Sequence, residues 1–362
     1  MIEKGKISPQ QMALIMHPTI LSTAALIVPS ITMRQAGSDM WISPILSSFV
    51  GYLTVYILYR LHTQFPSDTF VQYVPKILGK YVGLSISIMY LVAIFYSNSL
   101  TIREYGEFIT GNFLNNTPMI IVVIAIISVC AYALYEGLEV IARSTQIMVP
   151  IAICIILLMV VTLIPDFHIK EMMPIFGNGL LPPILGSIVP ASWYSQFFII
   201  SFLFPFLTKK DLGMKWSLFS VTVVLLTTLA INVPVLLTFG SLTTSFNYPF
   251  LVAVRYIALS DFIEHIESLL MAIWIMGIYI KISIIYYLVT IGTAQIFKLD
   301  DYRTLIIPMG FLIILGSIWV SPNFQEMNHA LSTTIPFFAL FMQVVVPALL
   351  LIVVMIKGRL KR

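Results

Sequence analysis

The feature that most restricts the fold is a succession of long apolar runs spread over the chain. The sequence is 59% hydrophobic and 10% charged, whereas soluble domains average about 25% charged residues. A membrane-spanning helix needs roughly 20 consecutive, mostly apolar residues, and many of the runs reach this length. The sequence therefore predicts an all-helical integral membrane protein whose surroundings are a lipid bilayer.

Turn-forming and charged residues divide the apolar runs into ten predicted transmembrane spans. Their approximate bounds are 9–33, 41–62, 82–108, 117–135, 138–164, 184–207, 213–238, 264–294, 303–321 and 331–356. With the N-terminus inside, 15 Lys and Arg residues fall on inner segments, four fall on outer segments, and Lys281 lies within a span. Because positive residues concentrate on the cytoplasmic side, this asymmetry favours ten spans with both termini in the cytoplasm. The first residues, MIEKGKISPQQ, lack the apolar core of a cleaved signal peptide, so none is expected.

Two apolar segments between spans are too short to cross a bilayer. The segment 68–80, DTFVQYVPKILGK, is amphipathic and is predicted to lie on the cytoplasmic surface. The segment 247–259, NYPFLVAVRYIAL, is predicted to form an outer helix over the end of the bundle. An ordinary apolar loop is the alternative for the second segment.

Ten spans divide into two groups of five. Because five is odd, the second group enters the membrane upside down relative to the first, which permits the inverted-repeat plan of secondary transporters. We therefore expect one transmembrane domain, 1–362, with repeats at approximately 9–164 and 184–356. In that plan the first span of each repeat is broken and the two breaks meet near the middle of the bilayer.

The residues favour a break in spans 1 and 6. In span 1, the small residues at 22–25 precede Pro29, which removes a backbone donor. In span 6, Pro190 precedes the unusually polar stretch 191–196. The alternative is a pair of kinked helices with Ser and Thr bonded to their own turns. In lipid, backbone N–H and C=O groups freed by a break need a wet or protein-lined cavity. The half-helix ends at such a break match a zwitterion such as an amino acid, or another small polar molecule.

Lys281 lies midway along span 8, in the run WIMGIYIKISIIYY. No acidic residue is predicted at its depth, and Glu267 lies 14 residues away, about 21 Å along a helix. Two answers remain open: an ammonium group held by the freed carbonyls of span 1, or an amine kept uncharged by desolvation. Its role is either a brace between helices, in the place of a sodium ion, or proton coupling or ligand sensing. Gly277, one turn earlier, leaves room for another helix to approach.

The remaining polar residues give few site signals. Arg103 and Glu107 are four apart and are predicted to pair locally. Tyr96 is a candidate cavity residue, with core packing as the alternative. Cys130 and Cys154 lie in apolar runs and are interpreted as small hydrophobic residues. No spacing indicates a metal site, a cofactor or a catalytic set within the spans, and no basic patch indicates nucleic-acid binding.

The chain resembles the B subunits of spore germination receptors. The most specific stretch is FIEHIESLLMAIWIMGIYIKISI at 262–284, supported by KISPQQ before span 1, GSDMWIS at 37–43 and PSDTFVQY at 66–73. The resemblance covers essentially the whole chain. It implies the ten-span inverted-repeat fold of the amino acid–polyamine–organocation superfamily. It also implies a location in the inner membrane of the bacterial endospore, together with a larger membrane subunit and a lipoprotein subunit.

The resemblance further implies where a germinant binds. The pocket would be formed by Ser22, Thr23 and Ala24 of span 1, Tyr96 of span 3, Trp193, Ser195 and Gln196 of span 6, and Tyr279 and Ile280 beside Lys281 of span 8. At 22–25 this chain has Ser-Thr-Ala-Ala, where relatives often have glycine.

Two functions are consistent with these residues. The first is a receptor subunit that binds a small germinant, such as an amino acid, at the bilayer midplane and triggers germination. The second is a secondary transporter of amino acids or similar solutes, coupled to protons through Lys281. A membrane-embedded enzyme is not supported.

Overall fold

In a computed structural model, residue 3, residues 5–256 and residues 266–360 are described, and every regular element among them is helical. The first half contains α1 (Pro9–Ala36), α2 (Ile42–Gln64), α3 (Phe70–Leu78), α4 (Lys80–Asn112), α5 (Met119–Glu136) and α6 (Leu138–Leu163). The second half contains α7 (Leu181–Ser195), α8 (Ile200–Leu203), α9 (Gly213–Phe239), α10 (Pro249–Tyr256), α11 (Ile266–Phe297), α12 (Ile306–Trp319), α13 (Phe324–Ser332), α14 (Thr334–Leu340) and α15 (Val346–Leu360). The predicted all-helical membrane class is confirmed.

Nine helical runs in the described residues are long and apolar enough to cross a membrane. The first run, 9–64, is 56 residues long and contains both α1 and α2. One crossing needs roughly 20 residues, so this run has the length for two of the predicted spans. A 3₁₀ turn, Gly37–Trp41, separates the two helices, and Gly37 has a φ of 59°, a left-handed conformation that favours glycine. The count of ten crossings and the division into repeats stay predictions.

The two central helices are α1 and α7. Each is buried along most of its apolar length, whereas α6 and α15 expose most of theirs. α1 packs against α7, α9 and α11, and α2 packs against α7 and α9. The first spans of the two predicted repeats therefore lie in contact at the centre, and the exposed apolar faces of the outer helices are the surfaces that lipid would cover.

The unwound turn predicted at residues 22–25 is wrong. α1 continues as an α-helix from Pro9 to Ala36 with both Pro18 and Pro29 inside it. Prolines are tolerated in membrane helices when neighbouring groups satisfy the backbone. No glycine at 22–25 lowers the cost of leaving the helical conformation, and the hydroxyl groups of Thr19 and Thr32 hydrogen-bond to carbonyl groups of their own helix.

Where a break was predicted in span 6, the structure has a short stretch of tighter, 3₁₀ helix. α7 ends at Ser195, and a 3₁₀ segment, Gln196–Ile199, continues the run into α8. The chain thus stays helical through 206, but its helical spacing changes at Gln196. This change sets the direction of the Gln196 side chain relative to the rest of the helix.

Both short segments between spans contain helices. α3 buries Phe70, Val74 and Ile77 against the end of the bundle, where it contacts α4, α11 and α15. α10 covers the first part of the segment predicted at 247–259. Residues 257–259 and the predicted start of span 8 at 264 lie outside the described residues.

The contact between α3 and α4 provides a test of the packing. A Cβ atom added at Gly83 would lie 2.7 Å from the Pro75 nitrogen and 2.9 Å from the Val74 carbonyl oxygen, which are backbone atoms. We expect Gly83→Ala to lower the Tm of the detergent-solubilised protein, because overpacking costs about 1–3 kcal/mol.

The matched control is Gly111→Ala on the same helix, where no atom lies within 4 Å of the added Cβ. It should leave the Tm unchanged or raise it, because alanine favours a helix over glycine by about 1 kcal/mol. Equal Tm values for the two variants would contradict the described contact.

Candidate functional site

A cavity of about 90 Å³ lies where α1, α4, α7 and α11 meet the helices near the C-terminus. Its polar lining includes Thr23, Glu104, Ser192, Gln196, Lys281 and Gln343. Its aromatic lining includes Tyr90, Tyr96, Trp193 and Phe338. A cavity of this size, with these polar groups set in a mostly apolar wall, has room for a small polar molecule or several waters.

Lys281 is almost completely buried, with 1% of its surface exposed. Its Nζ donates hydrogen bonds to Thr23 Oγ1 at 2.7 Å and to Gln196 Oε1 at 3.2 Å. Of the two predictions for Lys281, contact with span 1 is present, but the acceptors are side-chain oxygens and not the carbonyls of an unwound turn. Because these side chains satisfy the amine, the backbone of α1 can remain helical.

Thr23 connects three helices through one hydroxyl group. Its Oγ1 accepts the bond from Lys281 of α11 and a second bond, at 2.8 Å, from Trp193 Nε1 of α7. A hydroxyl oxygen has two acceptor sites, so both donors can be satisfied at once. Thr23 therefore fixes the relative positions of α1, α7 and α11 beside the cavity.

A second connection joins the end of α7 to the last helices. Ser195 Oγ donates to Gln343 Oε1 at 2.8 Å. Gln343 lies in a π-helical turn, Phe341–Val345, between α14 and α15. Tyr90 of α4 donates its hydroxyl to the Met342 carbonyl in the same turn. Such turns leave carbonyls free for other partners and occur frequently at functional sites.

Glu104 was not predicted as a site residue. It lies in α4, it is 3% exposed, and it lines the same cavity as Lys281. The expectation that no acidic residue shares the depth of Lys281 is therefore wrong. The predicted local pair is present beside it: Arg103 and Glu107, one turn apart on the same helix, are joined by an ion pair of 2.7 Å.

The cavity brings together half of the predicted binding residues. Thr23, Tyr96, Trp193, Gln196 and Lys281 all line it. Ser22 and Ile280 line a second, more apolar cavity of about 70 Å³ on the other side of the contact between α1 and α11. The remaining three, Ala24, Ser195 and Tyr279, line neither cavity.

The predicted close approach at Gly277 is confirmed. A Cβ added there would lie 3.3 Å from Ser22 Cβ, so α11 meets α1 at this position without an intervening side chain. Trp274, three residues earlier, donates its Nε1–H to the Ser22 carbonyl. The two helices are thus joined one turn apart, at Trp274 to Gly277 and at Lys281.

Helical spacing in the sequence could have identified some of the cavity residues that the sequence analysis missed. Ser97, Thr101 and Glu104 lie at i, i+4 and i+7, which places them on one face of α4. All three line the cavity. Gln343 stands alone as a polar residue in the apolar run FMQVVVP. The described residues contain no group of three His, Cys, Asp or Glu that could hold a metal ion.

Comparison with known sequences identifies related proteins. A family model described as "Spore germination protein" matches residues 6–325. Spore germination protein KB of Bacillus subtilis (strain 168) is 28% identical, and the match covers 99% of this chain and 97% of that protein. Spore germination protein YndE of the same organism is 26% identical, with 96% of both proteins covered.

Solved structures with a similar fold include a symporter and MhsT. A substrate-bound, outward-open Na⁺-coupled sialic acid symporter matches with a TM-score of 0.67 and 13% identity, covering 94% of this chain and 78% of the symporter. MhsT in complex with L-phenylalanine matches with a TM-score of 0.61 and 11% identity, covering 98% and 99%. At these identities the similarity shows the fold alone.

Thr23 offers a direct test of the site. Thr23→Val keeps the shape of the side chain but removes both acceptor sites, so the Lys281 and Trp193 donors lose a buried partner. Each orphaned buried donor costs about 1–3 kcal/mol. We expect a clear loss of thermal stability, measured as the Tm of the purified protein.

The control is Thr23→Ser, which keeps the hydroxyl and removes one methyl group. It should cost about 1 kcal/mol, comparable to one buried methylene, and should be less damaging than Thr23→Val. A valine variant as stable as the serine variant would show that the hydroxyl does not hold the helices together.

Proposed function

The chain belongs to the spore germination protein family, and from this premise we propose that it is the membrane subunit of a germinant receptor. A small germinant such as an amino acid binds in the 90 Å³ cavity and triggers germination. The observation that carries this proposal is that the cavity opens onto the Lys281–Thr23–Trp193 contact, which joins three helices. A molecule bound there touches the groups that set the positions of those helices.

This arrangement supplies a means of signalling. A ligand can shift a conformational equilibrium only if it binds one state more tightly than the other. In the described state Lys281 and Trp193 share one acceptor on Thr23, so a ligand with its own acceptor or donor groups competes for these bonds. Movement of α1 relative to α7 and α11 would then change ligand affinity, and binding would drive that movement in return.

The partners and location follow from the same premise. We propose that the protein works with a larger membrane subunit and a lipoprotein subunit in the inner membrane of the bacterial endospore. Both termini face the spore core, in agreement with the distribution of Lys and Arg between predicted inner and outer loops. The functional change in this proposal is conformational.

A second candidate function is secondary transport of amino acids or similar small solutes. The transporter fold of the solved relatives favours it, because the same cavity would serve an alternating-access mechanism. Lys281 would then be the proton-coupling group. Uptake measurements in proteoliposomes distinguish the two functions: accumulation of the solute supports transport, and binding without accumulation supports the receptor.

The receptor function predicts a shift in germinant sensitivity. Spores carrying Trp193→Phe lose the bond to Thr23, and spores carrying Tyr96→Ala lose a wall of the cavity. For the most potent of the twenty L-amino acids on wild-type spores, we expect the half-maximal concentration to rise about tenfold, which corresponds to about 1.4 kcal/mol.

The control is Trp319→Phe, because Trp319 is 81% exposed on α12 and does not line the cavity. Its response curve should match that of the wild type. Unchanged curves for Trp193→Phe and Tyr96→Ala at normal protein levels would show that the germinant binds elsewhere.

A further inference from the structure

Glu104 has a buried carboxylate oxygen without a partner. Its Oε1 is inaccessible and accepts no hydrogen bond from any described residue. The side chain lines the 90 Å³ cavity, and only 3% of the residue is exposed. A buried carboxylate is costly unless it is paired or hydrogen-bonded. Because the Glu104 side chain lines the cavity and no described residue satisfies this oxygen, a donor that enters the cavity and contacts the carboxyl group would offset part of this cost.

The side chains of Arg103 and Lys281 donate hydrogen bonds to groups other than Glu104, and Arg103 Nε is buried without a partner. Arg103, next in sequence, pairs with Glu107 at 2.7 Å and donates to the Pro322 carbonyl at 3.4 Å. Lys281 donates to Thr23 and Gln196. An ammonium group has three donors, so Lys281 retains one donor for a second ligand group. Both residues line the cavity, and Glu104 Oε1 accepts no hydrogen bond from Lys281 or from any other described residue.

The face of α4 beside Glu104 is suited to an ammonium group. Ser97 and Thr101 line the cavity from the same face. Their hydroxyl oxygens can accept hydrogen bonds in addition to the carboxylate. Each hydroxyl is therefore a further acceptor for a donor that occupies the cavity.

We propose that Glu104 is the acceptor for the ammonium group of the ligand and that it makes the cavity selective for primary amines. This inference rests on the proposed germinant site and names the chemical class that the site takes. The lining of the cavity contains one amine, Lys281, and one carboxyl group, Glu104, so the two groups can bind the two ends of a zwitterion. Removing one charge should reverse the preference of the cavity.

The test compares L-alanine with L-lactate, which has a hydroxyl in place of the ammonium, and with ethylamine, which has no carboxylate. Binding to the purified full-length protein is measured by calorimetry or ligand-dependent shifts in Tm. The wild type should bind L-alanine at least tenfold more tightly than L-lactate, and ethylamine should bind detectably. In Glu104→Gln the affinity for L-alanine should fall about 10- to 100-fold, the range expected when a charged hydrogen bond loses its partner.

The same variant should gain affinity for L-lactate, because Lys281 is left without an opposing charge in the cavity. The matched control is Glu107→Gln, one turn along the same helix, where the carboxylate pairs with Arg103 and does not line the cavity. Its ratio of L-alanine to L-lactate affinity should equal that of the wild type. If Glu104→Gln does not fold, Glu104→Asp and the three ligands on the wild type still test the inference.

Each outcome of these measurements either supports or overturns the proposed role of Glu104. A ratio of L-alanine to L-lactate affinity that is unchanged in Glu104→Gln would overturn the inference while leaving the germinant site in place. Binding of ethylamine but of no amino acid would support Glu104 and remove the proposed amino acid germinant. Stabilisation of the wild type by K⁺ or Na⁺, lost in Glu104→Gln and without discrimination among the organic ligands, would assign Glu104 to a metal cation instead. Failure of the wild type to bind L-alanine and ethylamine would also overturn the inference.

Discussion

A lysine amine buried among membrane-spanning helices is the constraint on which the rest of the structure depends. A charged group in such surroundings is costly unless polar partners replace its water. The partners of Lys281 come from two other helical runs: Thr23 from α1 and Gln196 from the 3₁₀ segment after α7. Satisfying one amine therefore positions three elements that lie far apart in the sequence. The helical spacing changes to 3₁₀ at Gln196, the residue whose side chain accepts a hydrogen bond from Lys281.

The same contact separates two cavities of different character. Thr23 lines the polar cavity, whereas its neighbour Ser22 lines the apolar one, so α1 forms a wall between them. α11 presents Lys281 to the first cavity and Gly277 to the second. A shift of α1 against α11 would change the shape of both. The contact between α1 and α11 therefore couples the shapes of the two cavities while both helices remain intact.

The positions of the helices were predictable from the sequence, whereas the side-chain contacts between them were not. Lipid admits only structures that satisfy their own backbone groups, so long apolar runs had to be helices, and their bounds agree closely with the predicted spans. A contact between the Lys281 amine and span 1 was one of two expectations for that residue, the other being an uncharged amine, and Gly277 was expected to permit the approach of another helix. The unwound turn was expected from the small residues at 22–25 before Pro29 and from the inverted-repeat plan, but side-chain oxygens satisfied the amine and the helix remained intact. Glu104 was missed because span 3 was ended at 108. The helix continues to Asn112, which places Glu104 more than two turns from its end.

The most direct test of the account is a double-mutant cycle between Lys281 and Thr23, read from the unfolding of the purified protein. Lys281→Met and Thr23→Val are compared with the combined variant, and Lys209→Met serves as a control for the loss of one positive charge at an exposed position. If the amine holds α11 to α1 through this hydroxyl, the combined loss should be smaller than the sum of the single losses by about 1 kcal/mol or more. Single losses that add to within about 0.3–0.5 kcal/mol would show that the two residues do not interact, and would contradict the account.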